Sequence, residues 1–432
     1  MELKEWLQEW DFQNNPFVIF DADRDPFLHE AMLENTSLRS LLQLEKPSPF
    51  VVFGIRGAGK SSMRIDAEHF LGQFREKVMV LKYVEFNELL SEKSKSKKIP
   101  PDYALGRGIF SRLFRRKKTE VLRLEKKITL DDHLDYILRL GIEELYRYLM
   151  DYKKEDVLRA SPEYGSKFLL LTALYFAPTD FSRKMLAIRN LLKITKRKKA
   201  GLFKNKKRDI KLLAAEIFRG VKGISISLEN TAQMIKEIGT ALFTSHAIPT
   251  NTENRFTLLK YFMELVRYFG LSGVYLLVDR VDEPTSIKGD PEKMRELVTP
   301  LLDDQLFQID HLGIVLFLPF ELHDLKKYYR SDRIKTVPSI NWSAENMIRM
   351  IEKRMNICRA PGAEPIKLRD LFEEDGEHKA QFVVRQLTPR NAFRLLGIII
   401  EQHCETVNRA KRISTEVYES AVHRYLIEKE GY

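Results

Sequence analysis

The chain has 432 residues, 44% of them hydrophobic, with a formal net charge of +11 and two cysteines. That length and apolar content exclude a disordered chain, and Cys358 and Cys404, without a CxxC spacing, exclude a disulfide framework or a cysteine-built metal site. The longest apolar runs, 168–177 and 312–320, fall short of the roughly 20 residues a membrane-spanning helix needs, and the opening MELKEWLQEW does not resemble a signal peptide. The expectation is a soluble, cytoplasmic protein of several domains.

In chain order, residues 1–47 read as an arm of short helices, punctuated by Asn15-Pro16-Phe17 and Asp25-Pro26-Phe27, because the residue before proline is pushed out of helix. FVVFG, 50–54, is a short β-rich run that ends at a glycine loop, and KSSMRIDAEHFLGQF after it has apolar residues at helical spacing. KVMVLKYVEF, 77–86, predicts the next strand, closing a first core segment over 48–90. From 91 to 215 the character changes. This stretch holds 32 Lys plus Arg against 15 Asp plus Glu, a net of +17, so the remainder of the chain sums to −6. Helical patterns at 128–152, 166–176 and 180–199, with a cationic run at 93–118 before them and a second at 193–211 closing the region, predict a basic helical insertion. A second core segment, 216–340, carries GVYLLVDRVDEP from Gly273 and HLGIVLFLPF at 311–320, each a continuous apolar run of the kind that a parallel strand buried on both faces requires. The last segment, 341–432, reads as capped helices forming a helical lid.

Gly54-Ile55-Arg56-Gly57-Ala58-Gly59-Lys60-Ser61 matches GxxxxGK[ST] in full and sits between a predicted strand and a predicted helix. Such a loop turns backbone N–H groups inward around phosphates, its lysine reaches the β- and γ-phosphates, and its serine supplies an oxygen to Mg²⁺ at the positive end of the helix. The binding candidates are therefore Gly54, Arg56, Gly57, Ala58, Gly59, Lys60, Ser61 and Ser62, and the cofactors are ATP and Mg²⁺. Asp279, at the end of the later apolar run, is the candidate metal ligand with Ser61. Asp282 and Glu283 stand where a carboxylate can polarise an attacking water, with Glu283 favoured.

A P-loop followed by a distant hhhhDxhDE strand resembles the ASCE division of P-loop NTPases, and DRVDE is similar to the NACHT/STAND and origin-recognition-like AAA+ ATPases. YYRSDRIKTVPSINWSAENMIRMIEKRM, 328–355, resembles the segment after the fourth core strand of those families, and LTPRNAFRLLGIII, 387–400, looks like the start of their lid helix. The resemblance implies an α/β fold with a central parallel sheet, an inserted helical subdomain and a C-terminal helical lid. It also implies a homo-oligomer in which Arg333 or Arg330 acts on a neighbour's nucleotide and Arg390 senses the γ-phosphate. Two departures stand out. The strand at 313–319 ends in FLPFE without the polar residue that often serves as first sensor in those families, and Arg280 follows Asp279 where NACHT proteins usually carry glycine. KAP-type NTPases accommodate insertions at the same place, but theirs contain membrane helices.

Two functions follow. In one, an oligomerising ATPase couples nucleotide state to DNA or RNA through the basic insertion, with Lys196, Arg197, Lys198 and Lys199 on phosphates and Phe110, Phe114 and Phe203 interleaved. In the other, a nucleotide-gated scaffold recruits a separately encoded effector protein, as in bacterial anti-phage defence. A transposition or replication loader shares the chemistry of the first.

Overall fold

The computed structural model describes residues 2–19, 21–32, 36–87, 89–90, 127–152, 162–176, 251–330, 334–337, 342–386, 388–406 and 411–430. Both cationic runs, with Lys196 to Lys199, and also Arg333, lie outside the described residues. The chain divides into two compact units, one of 1–80, 272–279 and 311–432, the other of 81–271 and 280–310.

The first unit is built on strands β1 (Phe50–Gly54), β2 (Val78–Tyr83, which crosses into the second unit), β3 (Gly273–Val278), β4 (Leu312–Pro319) and β5 (Lys335–Val337). They form one five-stranded parallel sheet in the order β2-β3-β4-β1-β5. The fold is mixed α/β, as the apolar runs predict. Every residue of β1, β3 and β4 is buried, the pattern of strands covered on both faces. β1 pairs with β4 from Phe50 opposite Val315 to Gly54 opposite Pro319, and β3 pairs with β4 from Val274 opposite Leu312 to Val278 opposite Leu316. One strand therefore separates the glycine-loop strand from the acidic one. At about 4.8 Å per strand, their ends stand roughly 10 Å apart. The three-residue β5, KTV, is too short to stand out by alternation and was not expected; its register against Phe50–Val52 places it on the other side of β1.

Helices α1 (Leu3–Glu9), α2 (Leu28–Ala31), α3 (Thr36–Leu41) and α4 (Lys60–Gly72) precede β2. Alternate residues Phe50, Val52, Tyr275, Leu277, Val315 and Phe317 meet Leu38, Met63, Ala67 and Leu71 in one apolar layer beneath α3 and α4.

In the second unit α5 (Leu130–Tyr152), α6 (Pro162–Leu171) and α7 (Thr252–Tyr268) pack together. Gly141 on α5 admits the ring of the fully buried Phe262: a Cβ there would stand 2.6 Å from Phe262 Cζ. Short helices α8 (Pro291–Val298) and α9 (Asp304–Phe307) also belong to this unit, α8 capped by Asp290 with proline at its start.

The 341–432 segment supplies α10 (Ala344–Ile357), α11 (Gly376–Val384), α12 (Pro389–Thr406) and α13 (Thr415–Glu430), with Ser343 capping α10 through its side chain. The arm enters their core. Trp6, Trp10, Phe12 and Phe17 lie in one buried cluster with Met347, Ile351, Leu395, Ile399 and Tyr425. Both indole N–H groups donate to the Lys411 carbonyl, at 2.9 and 3.0 Å, and Asp11 pairs with Arg359 at 3.1 Å. The i, i+4 spacing of Trp6 and Trp10 already marks a buried helix face; what that face meets lies some 400 residues away in sequence.

Candidate functional site

The glycine loop leaves β1 at Gly54 and enters α4 at Lys60. Gly57 has φ +79° and Gly59, the residue that caps α4, has φ +95°, a backbone region that L-residues with a Cβ adopt only under strain. No side chain caps α4, and its first turn carries no acidic residue, so the partial positive charge of the helix end is not offset from within the helix. Lys60 is buried, and its Nζ donates to the carbonyls of Gly54 at 2.9 Å and Ile55 at 3.1 Å. The ammonium is thus folded over the loop. Ser61 and Ser62, on the first turn, are half-buried, Ala58 is buried, and Arg56 lies exposed beside Glu321 at 3.8 Å. Lys60, the left-handed glycines and the uncapped helix end together fit an anion such as a phosphate chain.

Two further groups close on the loop. Trp342, just before α10, donates its indole N–H to Ala58 O at 2.9 Å, and its ring faces Gly59. At the start of α12, Arg390 N–H reaches Gly57 O at 3.5 Å, and a Cβ on Gly57 would stand 2.9 Å from Arg390 Cβ and 3.1 Å from Thr388 Oγ1. Arg390, named from the sequence, therefore sits against the loop with its side chain exposed. Trp342 and Thr388 were not anticipated; a lone tryptophan immediately before the Ser343 cap was the available signal.

Asp279 follows β3 and is buried. Its Oδ2 accepts from Arg64 Nε at 3.1 Å. Arg64, one helical turn beyond Lys60 and 1% exposed, also donates Nη2 to both oxygens of Asp23 at 2.6 Å and Nη1 to Glu68. Burial by itself would lower the guanidinium's pKa, but Glu68, Asp23 and Asp279 together hold it above its ordinary value. Sequence reasoning missed both Arg64 and Asp23. The i, i+4 relation of Lys60 to Arg64 puts them on one helix face, but the arm's DADRD carries only turn signals.

The position after Asp279 explains one departure. Arg280 has φ +63°, the left-handed region in which glycine is relaxed. Its Nη1 stands 3.4 Å from Glu283 Oε2, and Glu283 N–H donates to Arg280 O at 3.2 Å. Asp282, half-buried, accepts at its carbonyl from Gly289 N–H at 2.9 Å. Asp282 and Glu283 belong to the second unit, Asp279 to the first. At the β4 end, Pro319 lies opposite Gly54, so the place of the missing polar residue is taken by a proline, with neither a polar side chain nor an N–H. His323, four residues on, stacks on Phe320 and meets Phe53 edge-on, with ring centroids 5.0 and 5.1 Å apart. Arg330 is exposed, and its carbonyl accepts from Ile334 N–H at 3.0 Å.

Among the described residues no group of three or more His, Cys, Asp or Glu side chains is arranged to hold a metal ion, and no helix is long and apolar enough to cross a membrane. Comparison with known protein families, with curated proteins and with solved structures finds no match.

Proposed function

We propose that the chain is a Mg²⁺-dependent ATPase of the P-loop type. The observation that carries this reading is the buried Lys60 folded over a left-handed glycine loop at an uncapped helix end. The loop amides and Lys60 would bind the phosphates, with Ser61 and Asp279 as the residues that would hold Mg²⁺. Bound there, Mg²⁺ would neutralise charge on the transferring phosphoryl group. Asp282 or Glu283 would orient the water, and Arg390 would stand beside the phosphates from the start of α12. The strand order supports the reading as well, since ligands of open α/β sheets lie beyond the carboxyl ends of the strands where the order reverses, and here that place is β1 between β4 and β5.

Calorimetric titration of ATP into the wild type should give saturable binding that Lys60→Ala abolishes and Glu283→Ala leaves intact, while Glu283→Ala stops hydrolysis. Equal binding by wild type and Lys60→Ala would sink the assignment. A rate per chain that climbs with protein concentration and falls in Arg333→Ala would favour the oligomeric form. The net +17 of residues 91–215 supports a partner carrying phosphate backbone. Double-stranded DNA should then stimulate hydrolysis in a salt-dependent manner, and neutralising Lys196 to Lys199 should remove the effect. DNA-independent hydrolysis would leave the effector-recruiting scaffold as the reading in front.

A further inference from the structure

We propose that Asp23 and Arg64 form a positioning pair for the metal-binding carboxylate of the nucleotide site, so that the arm helps to build the site from outside the glycine loop; this rests on the ATPase reading above. The side chain of Asp279 is 3% exposed, and a buried carboxylate needs a partner that fixes its direction. Arg64 is that partner, and all three of its guanidinium nitrogens are engaged: Nε on Asp279, Nη2 on both oxygens of Asp23, Nη1 on Glu68. A rigid guanidinium held at two corners has its third corner fixed. Two anchors, one from the arm and one from α4, therefore set how Asp279 Oδ2 is held and with it the orientation of the carboxylate.

Asp23 is itself fixed from both sides. It lies in a single 3-10 turn, Ala22–Arg24, where the Asp21 side chain accepts its N–H at 3.1 Å. Two residues on, Asp25 pairs with Arg354 of α10, whose Nε also donates to Pro16 O at 2.5 Å. The turn is thereby tied to α10 on one side and to α4 on the other. Lys60 and Arg64, one turn apart on α4, divide the work: one faces the loop carbonyls, the other the end of β3.

Residues that orient a metal's ligands change metal affinity by about 10- to 100-fold when altered, and that dependence separates positioning from mere bracing. The test titrates ATP into the full chain twice, with excess Mg²⁺ and with EDTA, for wild type, Asp23→Asn and Arg64→Lys, and records melting temperatures alongside. The expected result is a loss of about 10-fold or more in affinity with Mg²⁺, with Mg²⁺-free ATP affinity changed by less than about twofold. If Asp23→Asn melts below the assay temperature, Asp23→Glu, which keeps the charge and displaces the carboxylate by one methylene, should shift the same ratio in the same direction. A lower melting temperature with an unchanged ratio would overturn the proposal and leave Arg64 as a brace. Wild-type affinity for ATP that is the same with and without Mg²⁺ would overturn it too, with nucleotide binding intact. Wild type that binds no ATP in either condition would remove both the ATPase reading and the positioning role.

Discussion

Gly57→Ala puts the junction between the glycine loop and α12 to a quantitative test. At φ +79° an L-residue is strained by roughly 1–2 kcal/mol. The new Cβ would stand 2.9 Å from Arg390 Cβ, whereas carbon atoms pack without strain at about 3.5–4.0 Å. The 388–390 segment must therefore retreat by roughly 0.6 Å or more, and the Arg390 N–H contact to Gly57 O, already 3.5 Å, is lost. Overpacking of this sort destabilises by about 1–3 kcal/mol, and the lower entropy of the unfolded alanine chain returns about 0.4–1 kcal/mol. The net expectation is a loss of about 1–5 kcal/mol. Urea unfolding followed by tryptophan fluorescence reads this directly, because Trp6, Trp10 and Trp342, the three tryptophans of the chain, all belong to the first unit. The partner variant is Arg390→Gly, since Arg390→Ala retains the offending Cβ, and the double variant should recover part of the loss. Stability of Gly57→Ala within about 0.5 kcal/mol of wild type, the usual range for neutral surface changes, would mean that α12 does not bear on the loop.

Gly141→Ala sets two effects against each other: alanine favours a helix interior by about 1 kcal/mol, but its Cβ would overlap the buried Phe262 ring, so amide exchange in α5 and α7 should accelerate, and slower exchange would refute the packing. Trp342 touches the loop at Ala58, so ATP should change the fluorescence of the wild type but not of Trp342→Phe; a response that survives this replacement would place the ligand elsewhere. Burial pushes the Cys358 thiol up to about 11 from an ordinary 9.0, which means that the folded state favours the protonated form. The associated stability is whole below pH 9 and is lost as pH rises toward 11, and Cys358 should react with a disulfide reagent at pH 8 only after unfolding. Rapid labelling of Cys358 in the folded chain would contradict its burial.

What sequence exposes here is whatever is local. The glycine loop declares itself because eight adjacent residues carry its whole geometry, and β1, β3 and β4 do so because strands buried on both faces must be apolar at every position. What pairs across distance stays hidden. Nothing near Arg64 marks Asp279, 215 residues on, as its partner, and β5 is three residues whose only distinction is to lie beside β1. Arg280 is an intermediate case. Its departure from glycine is plain in sequence, but the positive φ that gives the departure meaning needs the backbone. The cationic runs are the reverse, conspicuous in sequence and outside the described residues.

The burial of Trp6 and Trp10 against α12 and Lys411 also has a temporal side. The arm is made before its partners, which follow 405 residues later for the Trp6 contact. At about 5–20 residues per second, these indoles wait roughly 20–80 s on the ribosome before the groups that cover them exist. During that interval the apolar face around α1 is exposed, a natural substrate for a chaperone that holds early segments. Completion of the helical core is then the event that covers Trp6 and Trp10, long after Asp23 can meet Arg64, 41 residues on.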